Sequence, residues 1–239
     1  MKIRGERECT ECGTRWSYYE TGSVGCPACG SLRSVGLDER TEHTDLEVAF
    51  DLTPVRADVD DVPTADLAER ARDRASTYVR RRGFVRGGEL RELDDEYLAA
   101  TELRHVGDAV ARRMRVDDRE ELYFLALLRD ADAGGRPPVD AVPDAMRAPR
   151  GLACADAIDE YRRDVRTWIE AEGTALSRAE RSVLESLGDH VTRVRMLEGD
   201  VPPESAAQLV EATRDLGVAL RTDDDEALER AAERLECLG

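Results

Sequence analysis

From residue 64 onward, apolar positions recur every three or four residues, the spacing that gathers them on one face of an α-helix. Thr64 opens the first such stretch. Leu67, Ala71, Ala75, Tyr78 and Val79 form its stripe, and Gly83 closes it. Asp94 opens a second, with Leu98, Val106, Val110 and Met114. Asp117 and Glu120 make a capping box for a third, whose apolar side reads as Leu122, Leu125 and Leu128. Residues 134–150, GGRPPVDAVPDAMRAPR, read as a proline-rich loop with one short helical turn at most. A fourth helix is expected over about Ala153–Glu172, with Ile158, Tyr161, Val165, Trp168 and Ile169 inward. Ser177 and Glu180 cap a fifth that carries Val183, Leu184, Leu187, Val191, Val194 and Leu197 and ends at Gly199. Pro203 suits the first turn of a sixth, with Leu209, Val210, Thr213, Leu216 and Leu220. Thr222 and the run Asp223 to Asp225 begin a seventh, whose buried side is Leu228, Ala231 and Leu235. Polar residues cover the opposite faces, as in a helical bundle, and no repeat of fixed period is visible.

Ahead of residue 64 the period changes. Leu46, Val48, Phe50 and Leu52 alternate with Asp45, Glu47, Ala49 and Asp51, which predicts a short strand or an extended segment packed on one side. Pro54 and Pro63 break the chain beyond it. The expected organisation is a cysteine-bearing module over 1–36, an acidic linker over 37–63 and an all-α domain over 64–239.

Composition sharpens this. The chain has 239 residues, 41% apolar but only 5% aromatic, so its core is Ala, Leu and Val and favours helices over sheets. The net charge is −17, from 52 acidic and 35 basic residues, and Lys2 is the only lysine. An acidic, arginine-rich surface of this kind resembles proteins of salt-loving archaea, since carboxylates hold water where salt screens charge over about 3 Å at 1 M. Such a surface repels polyanions. In molar salt, however, counterion release adds little to nucleic-acid affinity, so nucleic acid is not excluded. The opening MKIRGERE has no apolar h-region, and no apolar run is long enough to span a bilayer, so a cytoplasmic protein without membrane contact is expected. There, paired cysteines read as metal ligands or redox pairs.

Four of the six cysteines stand at the start, in CTECGTRWSYYETGSVGCPACG. Cys9 and Cys12 form one Cys-x-x-Cys pair, Cys26 and Cys29 the other, the spacing of a four-thiolate metal site. Gly13 and Gly30 after the pairs permit the left-handed conformation that finishes such a turn. Between them, Thr14, Trp16 and Tyr18 fall on one face of an expected strand, Arg15, Ser17 and Tyr19 on the other, with Thr21-Gly22-Ser23 as a turn. About 36 residues cannot fold on apolar burial alone, whereas a bound metal supplies roughly 10–16 kcal/mol. Zn²⁺ fits four thiolates. Iron, as in rubredoxin-like knuckles, is the alternative and would bring one-electron transfer. The fold class that emerges is a small β zinc ribbon with rubredoxin-like knuckles, followed by an all-α bundle of about seven helices.

Residues 9–30 resemble the zinc ribbon of the transcription factor IIB type, and the whole chain resembles an uncharacterised haloarchaeal family of zinc-ribbon-containing proteins. The resemblance implies that Cys9, Cys12, Cys26 and Cys29 are the metal ligands. It implies nothing for other residues. Transcription factor IIB follows its ribbon with two cyclin-like repeats, which the unrepeated helices here do not match.

The most basic stretch is YVRRRGFVRGGELR, where Arg80, Arg81, Arg82 and Arg86 stand with Tyr78 and Phe84. It reads either as an anion or nucleic-acid contact or as arginines that offset a helix C-terminus and pair with nearby carboxylates. His43, His105 and His190 are scattered and show no acid–base partner in sequence. Cys154 reads as a small buried residue and Cys237 as exposed. No phosphate loop, dinucleotide fingerprint or nucleophile elbow occurs. These readings predict a non-enzymatic zinc-binding interaction or adaptor protein with a protein partner, linked by resemblance to transcription or RNA handling. The alternatives are a nucleic-acid binder that uses the Arg80–Arg91 stretch and the ribbon, and an iron-binding electron-transfer module.

Overall fold

The computed structural model describes residues 1–113 and 115–238. Met114, expected to close the stripe of the second helix, lies outside the described residues. The chain divides into two compact units, each assembled from separate segments: Met1–Val48 with Arg81–Arg91 and Arg163–Ala175, and Ala49–Arg80 with Glu92–Arg162 and Leu176–Gly239.

The first unit holds the strands. β1 (Lys2–Ile3) pairs antiparallel with β5 (Thr41–Glu42). β2 (Glu6–Cys9) is the centre of a three-stranded antiparallel sheet, between β3 (Arg15–Ser17) and β4 (Ser34–Gly36). β6 (Val85–Arg86) and β7 (Glu89–Leu90) form a hairpin turned by Gly87 and Gly88, both at positive φ. The strand expected through Tyr19 stops at Ser17, and a single helical turn, α1 (Tyr18–Thr21), follows and ends at left-handed Gly22. That turn carries Tyr19 onto bare backbone: a Cβ at Gly5 would fall inside the Tyr19 ring, and one at Gly87 would crowd it. Tyr19 also lies 4.8 Å from the His43 ring and hydrogen-bonds Thr41 at 2.7 Å.

The period-two segment is extended, not a strand. Phe50 and Leu52 are buried, whereas Leu46 and Val48 are half-buried. Its N-terminal part is held by Thr44: the Thr44 and Asp45 amides donate to Val85 O, and Thr44 Oγ1 donates to Asp164 at 2.6 Å. Asp164 also accepts the Phe84 amide at 2.6 Å, and Trp168 Nε1 donates to Gly88 O at 2.9 Å. One carboxylate and one indole thus fix the hairpin.

After the four-residue helix α2 (Thr53–Arg56), the helices are α3 (Thr64–Arg81), α4 (Asp95–Ala111), α5 (Asp118–Asp130), α6 (Asp144–Glu172), α7 (Arg178–Met196), α8 (Pro203–Thr222) and α9 (Asp225–Glu236). Among the described residues, seven long helices therefore follow residue 64. Their starts match the local chemistry. Asp94 caps α4 through the Tyr97 amide, the Asp117/Glu120 and Ser177/Glu180 capping boxes are both formed, and Pro203 is the first residue of α8.

Two expectations need correction. α6 begins at Asp144, well before Ala153, and runs through Pro149. A proline there deprives the carbonyl four residues back of its helical donor. Arg113 supplies the substitute, donating to Ala145 O at 3.2 Å. The face of α5 is also turned: Leu122 is exposed, and the buried stripe is Tyr123, Phe124, Leu127 and Leu128. Gly151 of α6 lies so close to the Gly199 turn that any Cβ would collide with the Gly199 backbone.

Candidate metal centre and surrounding charge clusters

The two knuckles have nearly identical backbones. Cys9 N donates to Thr14 O at 2.9 Å and Gly13 N to Cys9 O at 3.0 Å; Cys26 N donates to Ser31 O and Gly30 N to Cys26 O, both at 2.9 Å. Gly13 and Gly30 both sit at φ 72°, where a side chain would be strained. β2 delivers Cys9 to one knuckle, and Trp16 on β3 packs with Cys9 and Cys26 as the small core beneath them. Trp16 Nε1 is satisfied by Ser23 O at 3.0 Å.

This construction brings the sulfurs of Cys9, Cys12, Cys26 and Cys29 within 4.8 Å of one another. Cys9 and Cys29 lie 3.6 Å apart, and Cys12 and Cys26 3.5 Å apart. Metal–sulfur bonds of about 2.3 Å in a tetrahedron require sulfur separations of about 3.8 Å, so the four thiols fit a tetrahedral thiophilic cation. Cys9 and Cys26 are buried, Cys12 and Cys29 exposed. The Thr14 hydroxyl, then its amide, draw the Cys12 thiol down to about 6. Cys29 is pushed up to about 12: the Ser31 amide pulls it down, but the neighbouring thiols and desolvation outweigh that pull. The cluster therefore gives up its first proton readily and holds its last, which a bound cation would displace. Among the described residues, no other group of Cys, His, Asp and Glu converges in this way.

The arginine stretch is engaged by carboxylates and carbonyls. Arg82 pairs with the buried Asp45 at 2.7 Å. Arg86 donates to Tyr19 O at 2.6 Å and lies 3.8 Å from both Asp45 and Glu47. Arg81 donates to Glu47 O at 3.2 Å, and exposed Arg80 reaches Thr77 Oγ1 at 3.5 Å. The period-two reading had put Asp45 on the polar face. Instead it is the counter-charge for this stretch, a role without a local sequence signal.

His43 is buried beside Tyr18 and Tyr19, and its Nδ1 has no hydrogen-bond partner. Burial lowers its pKa below the ordinary 6.5, with Arg86 and the Met1 ammonium acting the same way and Asp45 and Glu42 opposing. The unfolded chain therefore takes up this proton first. Its contribution to stability is complete above about pH 6.5 and is lost as pH falls from there toward the folded value. The urea midpoint is expected to drop between pH 7.5 and 5.5, and His43→Gln is expected to flatten that drop. An unchanged slope in the variant would remove His43 as its cause.

Sequence reading missed two further clusters. His105 Nε2 lies 2.9 Å from Asp156, which also accepts from Arg104 at 2.8 Å and Arg195 at 3.0 Å. Burial alone would raise the Asp156 carboxyl, but the hydrogen bonds of His105 and Arg195 and the nearby positive charge bring it down to about 2. The other cluster centres on Glu102 of α4, which is fully buried. Tyr123 donates to it, Arg136 lies 3.3 Å and Arg150 3.4 Å away, and Arg150 also donates to Pro137 O at 2.8 Å. Cys154, buried beside Arg136 and Arg150, has its thiol pushed up by desolvation. It is a packed, unreactive group, and Cys237 is exposed, as the sequence suggested.

Fold and site together define a helical protein with an N-terminal four-cysteine ribbon able to hold a metal. The chain belongs to a family of unknown function, DUF7117, which matches over residues 1–235. No curated protein and no solved structure matches it. Among the described residues, no helix is long and apolar enough to cross a membrane.

Proposed function

We propose that this chain is a non-enzymatic adaptor whose ribbon is folded by Zn²⁺ on Cys9, Cys12, Cys26 and Cys29 and presents a contact surface to a protein partner, in transcription or RNA handling. The observation that carries the reading is the convergence of the four sulfurs over a core of only Cys9, Trp16 and Cys26. Four thiolates leave no open coordination position for substrate, which favours a structural role over a catalytic one. The protein would work where thiols stay reduced.

Charge supports the ribbon as the contact face. The unit that contains it holds 12 basic and 13 acidic residues, leaving 23 and 39 for the rest. A Zn²⁺ on four thiolates adds two negative charges to the first unit, which still stays far less acidic than the second. It is therefore the part of the molecule that an ordinary acidic protein can approach. The engagement of Arg82 and Arg86 by Asp45 and Glu47 weighs against the nucleic-acid alternative.

The test is metal analysis of the purified chain, followed by capture of partners in molar KCl with and without nuclease. One zinc per chain, no visible absorption, and a protein partner that survives nuclease are expected. A red chain with thiolate-to-iron bands would replace zinc by iron. Recovery abolished by nuclease would replace the protein partner by nucleic acid.

A further inference from the structure

The two knuckles share one backbone fold, and the hydroxyl that follows each outer cysteine is placed differently in the two. In each, the outer cysteine is exposed and the inner one buried. In each, the residue two beyond the outer cysteine gives its carbonyl to the inner cysteine's amide: Thr14 in the first knuckle, Ser31 in the second. The side chains then diverge. Thr14 Oγ1 lies 3.2 Å from Cys12 Sγ. Ser31 Oγ is turned the other way and accepts the Arg33 amide at 3.2 Å. Among the described contacts it makes none with Cys29.

A metal-bound thiolate has no proton to give. In the loaded site the Thr14 hydroxyl must therefore be the donor in its contact with Cys12, and among the described contacts Cys29 has no counterpart to it in its own knuckle. Each such bond draws on the electron pair with which sulfur attacks an electrophile.

We propose that Cys29 is the modification site of the ribbon: peroxide-class oxidants and soft electrophiles react there first, and Cys9 resolves the product, which removes one ligand from each knuckle. This rests on the metal-binding reading above. The Cys29 thiolate attacks one peroxide oxygen, the O–O bond breaks, and a sulfenic acid and hydroxide result, so the peroxide takes two electrons from sulfur. Cys9 Sγ, 3.6 Å away, then attacks the Cys29 sulfur. The S–S bond forms as the S–O bond breaks, and hydroxide leaves and is protonated to water. Two thiolates have become one disulfide. A cation held by the four thiolates would be left with Cys12 and Cys26 alone, one exposed and one buried, too few to retain it.

The test uses the full chain after zinc reconstitution, with metal content measured first. Limiting hydrogen peroxide is added while a chromophoric chelator reports free zinc, and peptide mapping identifies the disulfide. A parallel sample is pulse-alkylated with iodoacetamide. Cys29 is expected to be alkylated about fivefold faster than Cys12, the rate factor of one ordinary hydrogen bond. The first disulfide should be Cys9–Cys29, with zinc released in step. Thr14→Val should bring Cys12 up to the rate of Cys29, and Ser31→Ala should leave Cys29 unchanged. Equal or reversed alkylation in the zinc-loaded native chain, or a first disulfide within one knuckle, overturns the proposal. A chain that takes up no metal overturns the metal reading itself, and this one with it.

Discussion

Replacing Cys26 by serine is expected to strip the metal from the ribbon and unfold it while the long helices persist. The ribbon's apolar core is Trp16 with Cys9 and Cys26. Burying one tryptophan removes about 150–250 Å² from water, about 4–6 kcal/mol at 25 cal/mol per Å². A module this small does not fold on that burial alone. A four-thiolate zinc supplies about 10–16 kcal/mol. The Cys26→Ser variant should lose bound zinc entirely. Its amides between residues 5 and 37 should exchange hydrogen at least a hundredfold faster than those of the native chain, whereas the amides of α8 and α9 keep their protection. Cys237→Ser, at an exposed position outside the cluster, should change neither. A Cys26→Ser chain that keeps stoichiometric zinc and a protected ribbon would remove the four-cysteine site as the source of the ribbon's stability.

The same contrast between local and distant causes separates what the sequence discloses from what it hides. The tetrad is legible because each knuckle is a six-residue turn whose chemistry is complete within itself: cysteine pair, left-handed glycine, backbone closure. The helix starts at Asp94, Asp117, Ser177 and Pro203 are legible for the same reason, since a cap and its amides lie within three residues. The early start of α6 is not. Pro149 reads as a breaker, and the Arg113 guanidinium that satisfies the carbonyl it orphans lies 32 residues away. The turned face of α5 is not legible either. Its leucines offered one helical phase and Tyr123 and Phe124 another, and the choice follows where the Tyr123 hydroxyl finds Glu102. Asp45 under Arg82 and Asp156 under His105 are likewise pairings made by the chain's return to itself.

Glu102→Gln is expected to destabilise the helical part by about 3–5 kcal/mol, the cost of breaking a buried ion pair by removing one partner. Glu102 is wholly buried, and its carboxylate faces two guanidinium groups, Arg150 at 3.4 Å and Arg136 at 3.3 Å. The amide keeps the shape and one acceptor oxygen but leaves two positive charges without a counter-charge. The Tyr123 hydroxyl does not supply one, because its burial, the largest influence on it, still holds its pKa above the ordinary value once the Glu102 charge is gone. For a chain of this size the loss should lower Tm by about 6–20 °C. A second substitution distinguishes stranded charge from disturbed packing. Arg150→Met in the Glu102→Gln background removes one of the uncompensated charges while keeping an unbranched apolar stem, so it should recover part of the loss. The same Arg150→Met change alone should destabilise, because it leaves Glu102 with one cation in place of two and takes a donor from Pro137 O. If the double variant is less stable than Glu102→Gln, the cluster is held by packing of the Arg150 stem, not by charge. If Glu102→Gln costs less than about 1 kcal/mol, the two arginines reach solvent or another acceptor when the carboxylate goes.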